Sequence, residues 1–418
     1  MLANVAEFLI ERLDAEQYEK LARISNEHLL SFVGHYVELC RPDHVFVCND
    51  TPEDVDYVRQ RALHDKEERA LAIPGHTVHF DGYYDQARDR KNTKLLLPEG
   101  VELGPQFRTM DRDAGLSEIH QVLDGIMQGH TLYIRFFCLG PTNSPFGILA
   151  VQLTDSAYVA HSDDLLYRHG YQAFVRQGES ADYFRFVHSA GELENGVSKN
   201  VDKRRVYIDL VENVVYSANT QYGGNTIGLK KPAMRLAINK AACEGWLCEH
   251  MFIMGVHGPG GRVTYFTGAY PSLCGKTSTS MLEGESIIGD DIAYIRNING
   301  ELRAVNVEKG MFGIIQSVNA VDNPLIWKVL HSPGEIIFSN ILAAEGGGAY
   351  WISKGIPMPQ AGTNHSGPYP PGKRDAEGKE IPPSQPNARF TLRLQLLSNV
   401  DARLHDPAGV PIGGIIYG

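Results

Sequence analysis

The sequence predicts an α/β fold with two lobes, one of which carries a phosphate-binding loop. The chain has 418 residues, longer than one hydrophobic core usually organises, so two domains or one elaborated α/β unit are expected. Segments with the apolar spacing of helices alternate with short apolar runs rich in β-branched and aromatic residues, which are typical of strands. One such run enters the glycine-containing turn of 265–281, as expected where a strand ends at a nucleotide.

Composition excludes several classes of protein. Hydrophobic residues make up 43% of the chain and charged residues 21%, with a net charge of −11, and no long basic run suits a nucleic-acid surface. No apolar run approaches the roughly 20 residues of a membrane span. The first residues carry acids among helically spaced apolar positions, which favours an amphipathic helix over a signal peptide. We therefore expect a cytoplasmic protein. Its six cysteines show no disulfide or zinc pattern.

The individual elements follow from local periodicity and from glycine and proline punctuation. A helix is predicted with Lys230 and Lys231 at its mouth and its end near Gly245, and the segment 357–386, rich in proline and glycine, is predicted to lack regular structure. The remaining predictions are helices at 5–21, 25–40, 52–69 and 156–168, strands at 44–49, 131–141, 146–153, 251–258, 302–315, 336–342 and 349–355, and a hairpin at 205–219.

The turn of 265–281 resembles a P-loop, with Gly275, Lys276 and Thr277 in sequence. Backbone N–H groups of such a loop hold phosphate oxygens, the lysine bridges them, and the threonine hydroxyl reaches a divalent metal. Tyr270 stands where the general pattern has glycine, so this is a variant loop. A chance Gly-Lys-Thr is usually a turn with an exposed lysine. The preceding strand and the acidic pair at 290–291, which could hold the metal, favour phosphate binding.

A second group of polar residues precedes this loop. Gly223 and Gly224 allow close backbone approach to a ligand, Lys230 and Lys231 stand at the mouth of a helix, and His250 lies at a helix-to-strand junction. Taken separately, a glycine pair is usually a turn, a lysine pair is usually solvated, and a histidine at such a junction is more often a capping or packing residue. Their common position shortly before a phosphate loop favours a shared ligand site.

With these residues collected, the sequence resembles the GTP-dependent phosphoenolpyruvate carboxykinases. The matching motifs occur in family order over nearly the whole chain: LTDSAYV, QYGGNTIGLKK, EGWLCEHM, AYPSLCGKT, GDDIAYI, QPNARF and DPAGVPIGGIIYG. The resemblance implies a two-lobed carboxykinase-like fold with a P-loop nucleotide-binding lobe. It also implies a carboxy-lyase of gluconeogenesis, which decarboxylates and phosphorylates oxaloacetate with GTP to give phosphoenolpyruvate, CO2 and GDP.

The resemblance also implies a set of cofactors. Mn²⁺ would be held by Lys231, His250 and Asp291 and would stabilise the enolate left by decarboxylation. A lysine can be a ligand only as the neutral amine, which the metal and the neighbouring Lys230 would favour. Mg²⁺ would travel with GTP or GDP and meet Thr277.

Further roles carry over by motif. Arg88 would clamp the substrate carboxylate, with Arg90 as the alternative, because a planar guanidinium suits a carboxylate. Cys274 has a setting that lowers a thiol pKa, yet the enolate attacks phosphorus directly, so the thiol is interpreted as positional. The implied catalytic residues are Cys274, Lys230 and Arg389. The implied substrate-binding residues are Arg88, Tyr222, Gly223, Gly224, Ser272, Asn387 and Arg389, and the nucleotide-binding residues are Leu273, Cys274, Gly275, Lys276, Thr277, Ser278 and Arg389.

The same resemblance suggests the domain limits, and the sequence departs from the family pattern in its length. The substrate-binding lobe is predicted at 1–244 with a return at 305–406, and the nucleotide-binding lobe at 245–304, resuming at 407–418. Family members continue well past Gly418 with a guanine pocket and a lid, so we expect a partial chain or a shortened, archaeal-type member. The alternatives are another P-loop small-molecule kinase and a catalytically silent nucleotide- or metal-binding fragment. We expect a monomer without membrane or nucleic-acid partners.

Overall fold

A computed structural model describes the backbone of residues 2–86, 89–194, 196–226, 230–270 and 275–418, and the side chains of these residues except 2–4, 225 and 226. The mixed α/β architecture predicted from the sequence is confirmed. The helices are Leu2–Arg12, Ala15–Ala22, Glu27–Cys40, Pro52–His64, Arg112–Leu123, Ala157–Leu166, Tyr171–Gln177, Gly223–Thr226, Lys231–Glu244, Lys276–Ser280 and Pro324–Val329. Short 3-10 turns span Tyr83–Asp85, Gly178–Ser180, Val201–Lys203, Pro259–Gly261 and Leu394–Leu396.

A nine-stranded mixed sheet forms the first half of the fold. In spatial order its strands are His44–Val47, Thr131–Leu139, Ile148–Thr154, Tyr183–Ser189, Val214–Ala218, Arg205–Asp209, Thr93–Leu97 and Thr109–Asp111, and Arg168–His169 pairs with Thr131–Leu139. Both faces of this sheet are covered, so its central strands place apolar residues on both faces rather than on alternate positions only. Phe136 packs in the core beneath the N-terminal helices, whereas Phe137 packs in the core shared with the helix Lys231–Glu244.

A seven-stranded sheet carries the predicted phosphate loop. Its strands in spatial order are Leu247–Glu249, Ala293–Ile298, Glu301–Asn306, Val410–Tyr417, Val263–Ala269, Phe252–His257 and Ser286–Gly289. The strand Val263–Ala269 leads toward the loop, and the strand Ser286–Gly289 ends directly before Asp290. Two elements of one sheet thus deliver the loop and the acidic pair to neighbouring positions.

Three smaller sheets complete the fold. The five-stranded sheet contains Arg69–Ala70, His76–His79, Ile336–Ser339, Arg389–Arg393 and Gly310–Ile314, so it joins an early segment of the chain to a late one. A four-stranded sheet contains Ala349–Tyr350, Leu342–Ala344, Gly362–Asn364 and Gly367–Tyr369, and a two-stranded one Leu193–Glu194 and Val197–Ser198. The exact lobe limits proposed from the sequence stay a prediction.

Several predicted elements differ from the observed ones. The helix predicted at 5–21 is two helices, because Asp14 caps the second one by accepting a hydrogen bond from the Gln17 amide. The strand predicted at 302–315 is broken by a bend at 307–309. The segment 357–386, predicted to be irregular, contains the short hairpin of 362–369. In the part of the chain that the structure describes, no helix is both long and apolar enough to span a membrane.

A buried ionic cluster joins the five-stranded sheet to the helix Ala157–Leu166. His161 Nδ1 lies 2.8 Å from Glu68 Oε1, and its Nε2 lies 3.2 Å from Glu335 Oε1. Burial alone would lower the pKa of His161, but the two carboxylates outweigh it and raise the pKa to about 9. The imidazolium therefore contributes stability at neutral pH.

This cluster predicts how stability depends on pH. A raised histidine pKa gives a contribution that is complete below the ordinary pKa of about 6.5 and is lost as pH rises through about 9. The linked free energy is about 3 kcal/mol. We expect urea unfolding to show that loss between pH 6.5 and 9.5 in the unaltered protein and not in His161→Gln. The control His64→Gln, whose ring is 73% exposed, should keep the unaltered slope, and equal slopes in all three proteins would contradict the assignment.

Candidate active site

Asp291 is the centre of a compact group of cations. Its Oδ2 lies 2.9 Å from Lys230 Nζ and 3.2 Å from Lys231 Nζ. Its Oδ1 lies 2.5 Å from His250 Nε2 and also accepts a hydrogen bond from Lys276 Nζ. These side chains come from a helix start, a strand end and the phosphate loop, and Asp291 is only 7% exposed. The structure therefore brings together the three residues predicted to hold a metal, with the phosphate-loop lysine beside them.

The charges in this group shift the protonation of its members in different directions. Burial would raise the pKa of Asp291, but the neighbouring lysines hold it well below its usual range. Burial lowers the pKa of Lys231 to about 8, helped by Lys230 and Lys276 against the opposing effect of Asp291. Burial would also lower the pKa of Lys230, but Asp291 and Glu308 outweigh it and raise that pKa. Of the two adjacent lysines, Lys231 is the one that reaches the neutral form more easily.

Glu308 accounts for much of the difference between these lysines, and the sequence did not single it out. Its Oε1 accepts a hydrogen bond of 2.9 Å from Lys230 Nζ, and the residue is fully buried. Burial raises the pKa of Glu308 to about 7, although Lys230 opposes this shift. The ammonium of Lys230 thus lies between the carboxylates of Asp291 and Glu308, whereas Lys231 forms an ion pair only with Asp291 among the described residues.

The donor set fits a divalent cation. Lys231 Nζ and Asp291 Oδ2 are buried and within ion-pair distance, but neither makes a hydrogen bond of acceptable geometry. His250 adds a ring nitrogen at the same carboxylate, and Lys231, whose lowered pKa makes deprotonation easier, has a lone pair to offer once it is neutral. Within the described ranges, no site formed by three or more His, Cys, Asp or Glu side chains meets the requirements of a metal ion. The lysine is therefore an essential member of the proposed ligand set.

The described part of the phosphate loop has the geometry expected at its helix end. Gly275 has φ +86°, in the left-handed region that glycine adopts readily. It precedes the helix Lys276–Ser280, whose first residue reaches Asp291. Thr277 and Ser278 follow within the first turn, so their amides lie at the open end of the helix. Ser272, Leu273 and Cys274, predicted to contact substrate or phosphate, lie outside the described residues.

A second polar group contains three of the predicted substrate-binding residues. Asn387 Nδ2 donates a hydrogen bond to the Tyr222 hydroxyl, and Arg389 Nη2 donates to Asn387 Oδ1 at 2.8 Å. Arg389 Nη2 also lies 3.5 Å from the Tyr222 hydroxyl. Gly223 and Gly224 follow directly in the helix Gly223–Thr226. Tyr222, Asn387 and Arg389 therefore form one hydrogen-bonded wall, and the two glycines follow Tyr222 directly in the chain.

Asp85 fixes the backbone beside this wall. Its Oδ2 accepts hydrogen bonds from the Gln221 amide at 2.6 Å and from the Tyr222 amide at 3.2 Å. Arg204 and Thr220 donate to its other oxygen. Asp85 therefore ties the chain just before position 88 to the turn that presents the tyrosine.

The predicted arginine clamp is described only in part. Arg88 lies outside the described residues, whereas its alternative Arg90 is exposed. The preceding residue Gln86 contributes its carbonyl oxygen as acceptor for Asn387 Nδ2 at 3.1 Å. The segment that leads to Arg88 thus contacts the wall formed by Tyr222 and Asn387.

Phe312 connects the metal group with the substrate group. The Lys230 ammonium lies 6.0 Å from the centroid of its ring, and the Arg389 guanidinium lies 5.0 Å from the same centroid. Both cations lie within 6.0 Å of the same centroid, so the two groups adjoin each other at this ring.

Comparison with known protein families agrees with this arrangement. Residues 31–242 match the phosphoenolpyruvate carboxykinase N-terminal domain, and residues 246–418 match the phosphoenolpyruvate carboxykinase C-terminal P-loop domain. The chain belongs to the GTP-dependent phosphoenolpyruvate carboxykinase family. The two family domains meet between the helix Lys231–Glu244 and the strand Leu247–Glu249, so Lys231 comes from the first and His250 from the second.

Curated members of the carboxykinase family align with nearly all of this chain. A phosphoenolpyruvate carboxykinase [GTP] of Pyrococcus horikoshii is 61% identical over 414 residues, which cover 99% of this chain and 66% of that protein. The relative from Saccharolobus solfataricus is 47% identical, covering 99% of this chain and 65% of that protein. The relative from Chlamydia abortus is 33% identical, covering 94% of this chain and 67% of that protein. The chain thus spans about two thirds of the length of the curated carboxykinases that it matches.

The close approach at Gly224 predicts an effect on substrate binding. A Cβ at position 224 would lie 2.4 Å from Cε1 of the Tyr222 ring, so Gly224→Ala must displace a buried tyrosine. Such overpacking costs about 1–3 kcal/mol, and we expect the KM for oxaloacetate to rise by about tenfold or more. The matched control is Gly348→Ala, because a Cβ there has no atom within 4 Å. An unchanged KM in Gly224→Ala would show that this tyrosine does not contact the substrate.

Proposed function

We propose that this protein is a phosphoenolpyruvate carboxykinase that converts oxaloacetate and GTP into phosphoenolpyruvate, CO2 and GDP. The observation that carries this proposal is the group around Asp291, where a lysine with a lowered pKa, a histidine and a carboxylate adjoin the phosphate-loop lysine. The curated relatives carry the same activity in their names. A general P-loop kinase has no need for a lysine pair at its metal site in addition to the phosphate-loop lysine.

The chain's own residues divide the work by charge and position. Arg389, Tyr222 and Asn387 form a wall that can receive the substrate carboxylate, and Arg389 also faces the site shared with Lys230. Lys230 keeps its proton between two carboxylates and can neutralise the phosphoryl group during transfer. Lys276 and the amides of 275–278 hold the nucleotide phosphates.

We propose that Lys231, His250 and Asp291 hold Mn²⁺, which would supply Lewis acidity where negative charge develops after loss of CO2. Mg²⁺ would arrive with GTP as part of the substrate, and Thr277, in the first turn of the helix Lys276–Ser280, would meet it. Lys230 and Asp291 are buried, which would limit the access of water to this part of the site, where water would otherwise protonate the enolate.

The decisive experiment supplies the purified protein with Mn²⁺, GTP and oxaloacetate and measures phosphoenolpyruvate and GDP together. We expect equimolar formation of both products, dependent on oxaloacetate and on the metal. Parallel reactions with ATP and with pyrophosphate test the phosphoryl donor. Absence of phosphoenolpyruvate together with absence of oxaloacetate-dependent loss of GTP would overturn the proposal.

Binding measurements separate the remaining alternatives. Nucleotide binding without oxaloacetate binding would favour a different P-loop kinase. Binding of both substrates with Mn²⁺ but without turnover would favour a silent nucleotide- and metal-binding protein. Calorimetric titration of oxaloacetate in the presence of Mn²⁺ and GDP distinguishes these two outcomes.

A further inference from the structure

A cationic cleft lies between the nine-stranded sheet and the bend at 307–309, outside the group around Asp291. Its volume is about 330 Å³, enough for a small ligand. Four of its five lining residues are arginine, lysine or histidine: Thr142, Arg168, His169, Lys309 and His405. The proposed reaction uses none of these side chains.

Arg168 carries a buried charge without a carboxylate partner. It is 6% exposed, and its Nη1 donates to the carbonyls of Asn306 and Val307 at 3.2 and 3.1 Å. Its Nη2 donates to the Leu404 carbonyl at 3.0 Å, and its Nε donates to His405 Nδ1 at 3.2 Å. Among the described residues it forms no salt bridge. Burial lowers the pKa of Arg168 to about 10, so the environment does not offset its charge.

Lys309 places a second cation at the same cleft. Over the ranges that the structure describes, its ammonium has neither a hydrogen bond nor an ion pair within 4 Å. Burial lowers its pKa to about 8, although Asp164 and Asp50 act in the opposite direction. Asp164 is already engaged, because it accepts hydrogen bonds from Arg59 Nη2 at 2.9 Å and Arg135 Nη2 at 3.0 Å.

His405 lines the cleft with a polar ring that carries no charge at neutral pH. Burial lowers its pKa to about 4, and Arg168 and Lys309 lower it further. Its Nδ1 accepts the hydrogen bond from Arg168, so this ring nitrogen carries no proton. The permanent charge of the cleft therefore rests on the arginine and the lysine.

We propose that this cleft binds a tetrahedral oxyanion, either free phosphate or the phosphoryl group of a small molecule, between Lys309 and Arg168. A buried arginine and a half-buried lysine, neither in an ion pair with a carboxylate among the described residues, destabilise the protein, and a bound anion relieves that cost. A phosphate group carries nearly two negative charges at neutral pH, which matches two cations better than a single carboxylate does. Charge-assisted hydrogen bonds from guanidinium and ammonium groups suit its oxygens.

The cleft and the group around Asp291 are connected through two adjacent residues of the chain. Lys309 directly follows Glu308, and the latter binds Lys230 within that group. The bend at 307–309 therefore carries one residue toward each location. Binding of an oxyanion at the cleft does not require carboxykinase activity, so the inference stands independently of the proposed function.

The test measures phosphate binding by calorimetry in a protein whose phosphate loop has been disabled by Lys276→Ala. We expect inorganic phosphate to bind this protein at one site, and the added change Lys309→Gln to weaken that binding by about tenfold or more. The matched control Lys328→Gln removes an exposed lysine elsewhere and should leave the affinity unchanged. Phosphate affinity that is equal with and without Lys309 would overturn the proposal.

Two further measurements distinguish the source of the anion and guard against misfolding. Titration with phenyl phosphate tests a phosphoryl group on a small molecule: binding with equal or higher affinity supports that source, and binding of inorganic phosphate alone supports the free ion. If Lys309→Gln does not fold, crystals of the unaltered protein soaked in tungstate give the answer. Tungstate density between Arg168 and Lys309 supports the site, and its absence overturns it.

Discussion

Replacement of Asp291 by asparagine is expected to reduce phosphoenolpyruvate formation by at least about a thousandfold, since the lost stabilisation of developing charge amounts to several kcal/mol. Among the described residues, Asp291 is the carboxylate that Lys230, Lys231, His250 and Lys276 all contact. An amide keeps the shape of the side chain and removes its charge. Turnover should be followed by phosphoenolpyruvate release, and Mn²⁺ affinity by electron paramagnetic resonance.

The same substitution should also lower the free energy of unfolding, because three lysine ammonium groups lose their shared counterion. Breaking a buried ion pair from one side costs about 3–5 kcal/mol, and the readily neutralised Lys231 brings this toward the lower end. His250→Ala is the matched comparison, since it removes a proposed ligand while Asp291 continues to balance the lysines. We expect it to weaken Mn²⁺ binding with a smaller loss of stability. Unchanged Mn²⁺ affinity in both variants would remove these residues from the metal site.

Much of the fold was predictable wherever the local pattern agreed with burial. The strands near 131–141 and 146–153 and the hairpin near 205–219 are present, because long apolar runs between glycine, proline and asparagine signals have few alternative structures. The helix that begins at Lys231 and ends before Gly245 is also present. The break at Asp14 was missed, although an aspartate before a new apolar period is a recognisable helix start.

The residues gathered around Asp291 were predictable only because each one stood in a distinctive motif. Lys231 and His250 are 60 and 41 positions from Asp291, and no periodicity links these positions. The family motifs that contain these residues were the reason to expect them in one site, and the structure places the side chains around one carboxylate. Their metal-binding role stays a prediction.

Glu308 and Asp85 show what sequence patterns leave out. Glu308 lay within a run that was predicted to be one continuous strand, where a charged residue would be expected to face solvent. The bend at 307–309 instead turns it inward to Lys230. Asp85 stands in no pattern that marks a buried residue, yet it is fully buried against backbone amides. In both cases the partner is more than 75 residues away, so only the tertiary fold defines the role.

Replacement of Arg389 by lysine is expected to lower kcat for phosphoenolpyruvate formation by about a hundredfold or more while the protein remains folded. Arg389 begins the strand Arg389–Arg393, where the backbone is paired on both sides, so the position is rigid. Its guanidinium packs on Phe312 and donates a hydrogen bond to Asn387. These two contacts fix the orientation of the guanidinium plane. A lysine keeps the charge but cannot reproduce the planar guanidinium. It therefore cannot orient the phosphoryl group and the substrate carboxylate relative to each other.

The control for this prediction lies in the same strand. Arg393→Lys changes a guanidinium four residues away, which contacts Asp164 and Glu335 and not the wall around Tyr222. We expect Arg393→Lys to retain most of its activity and Arg389→Lys to lose it, with similar melting temperatures. Steady-state kinetics should place the main effect of Arg389→Lys on kcat, because the guanidinium acts on charge that develops during phosphoryl transfer. An effect confined to KM would instead show that Arg389 only binds the substrate.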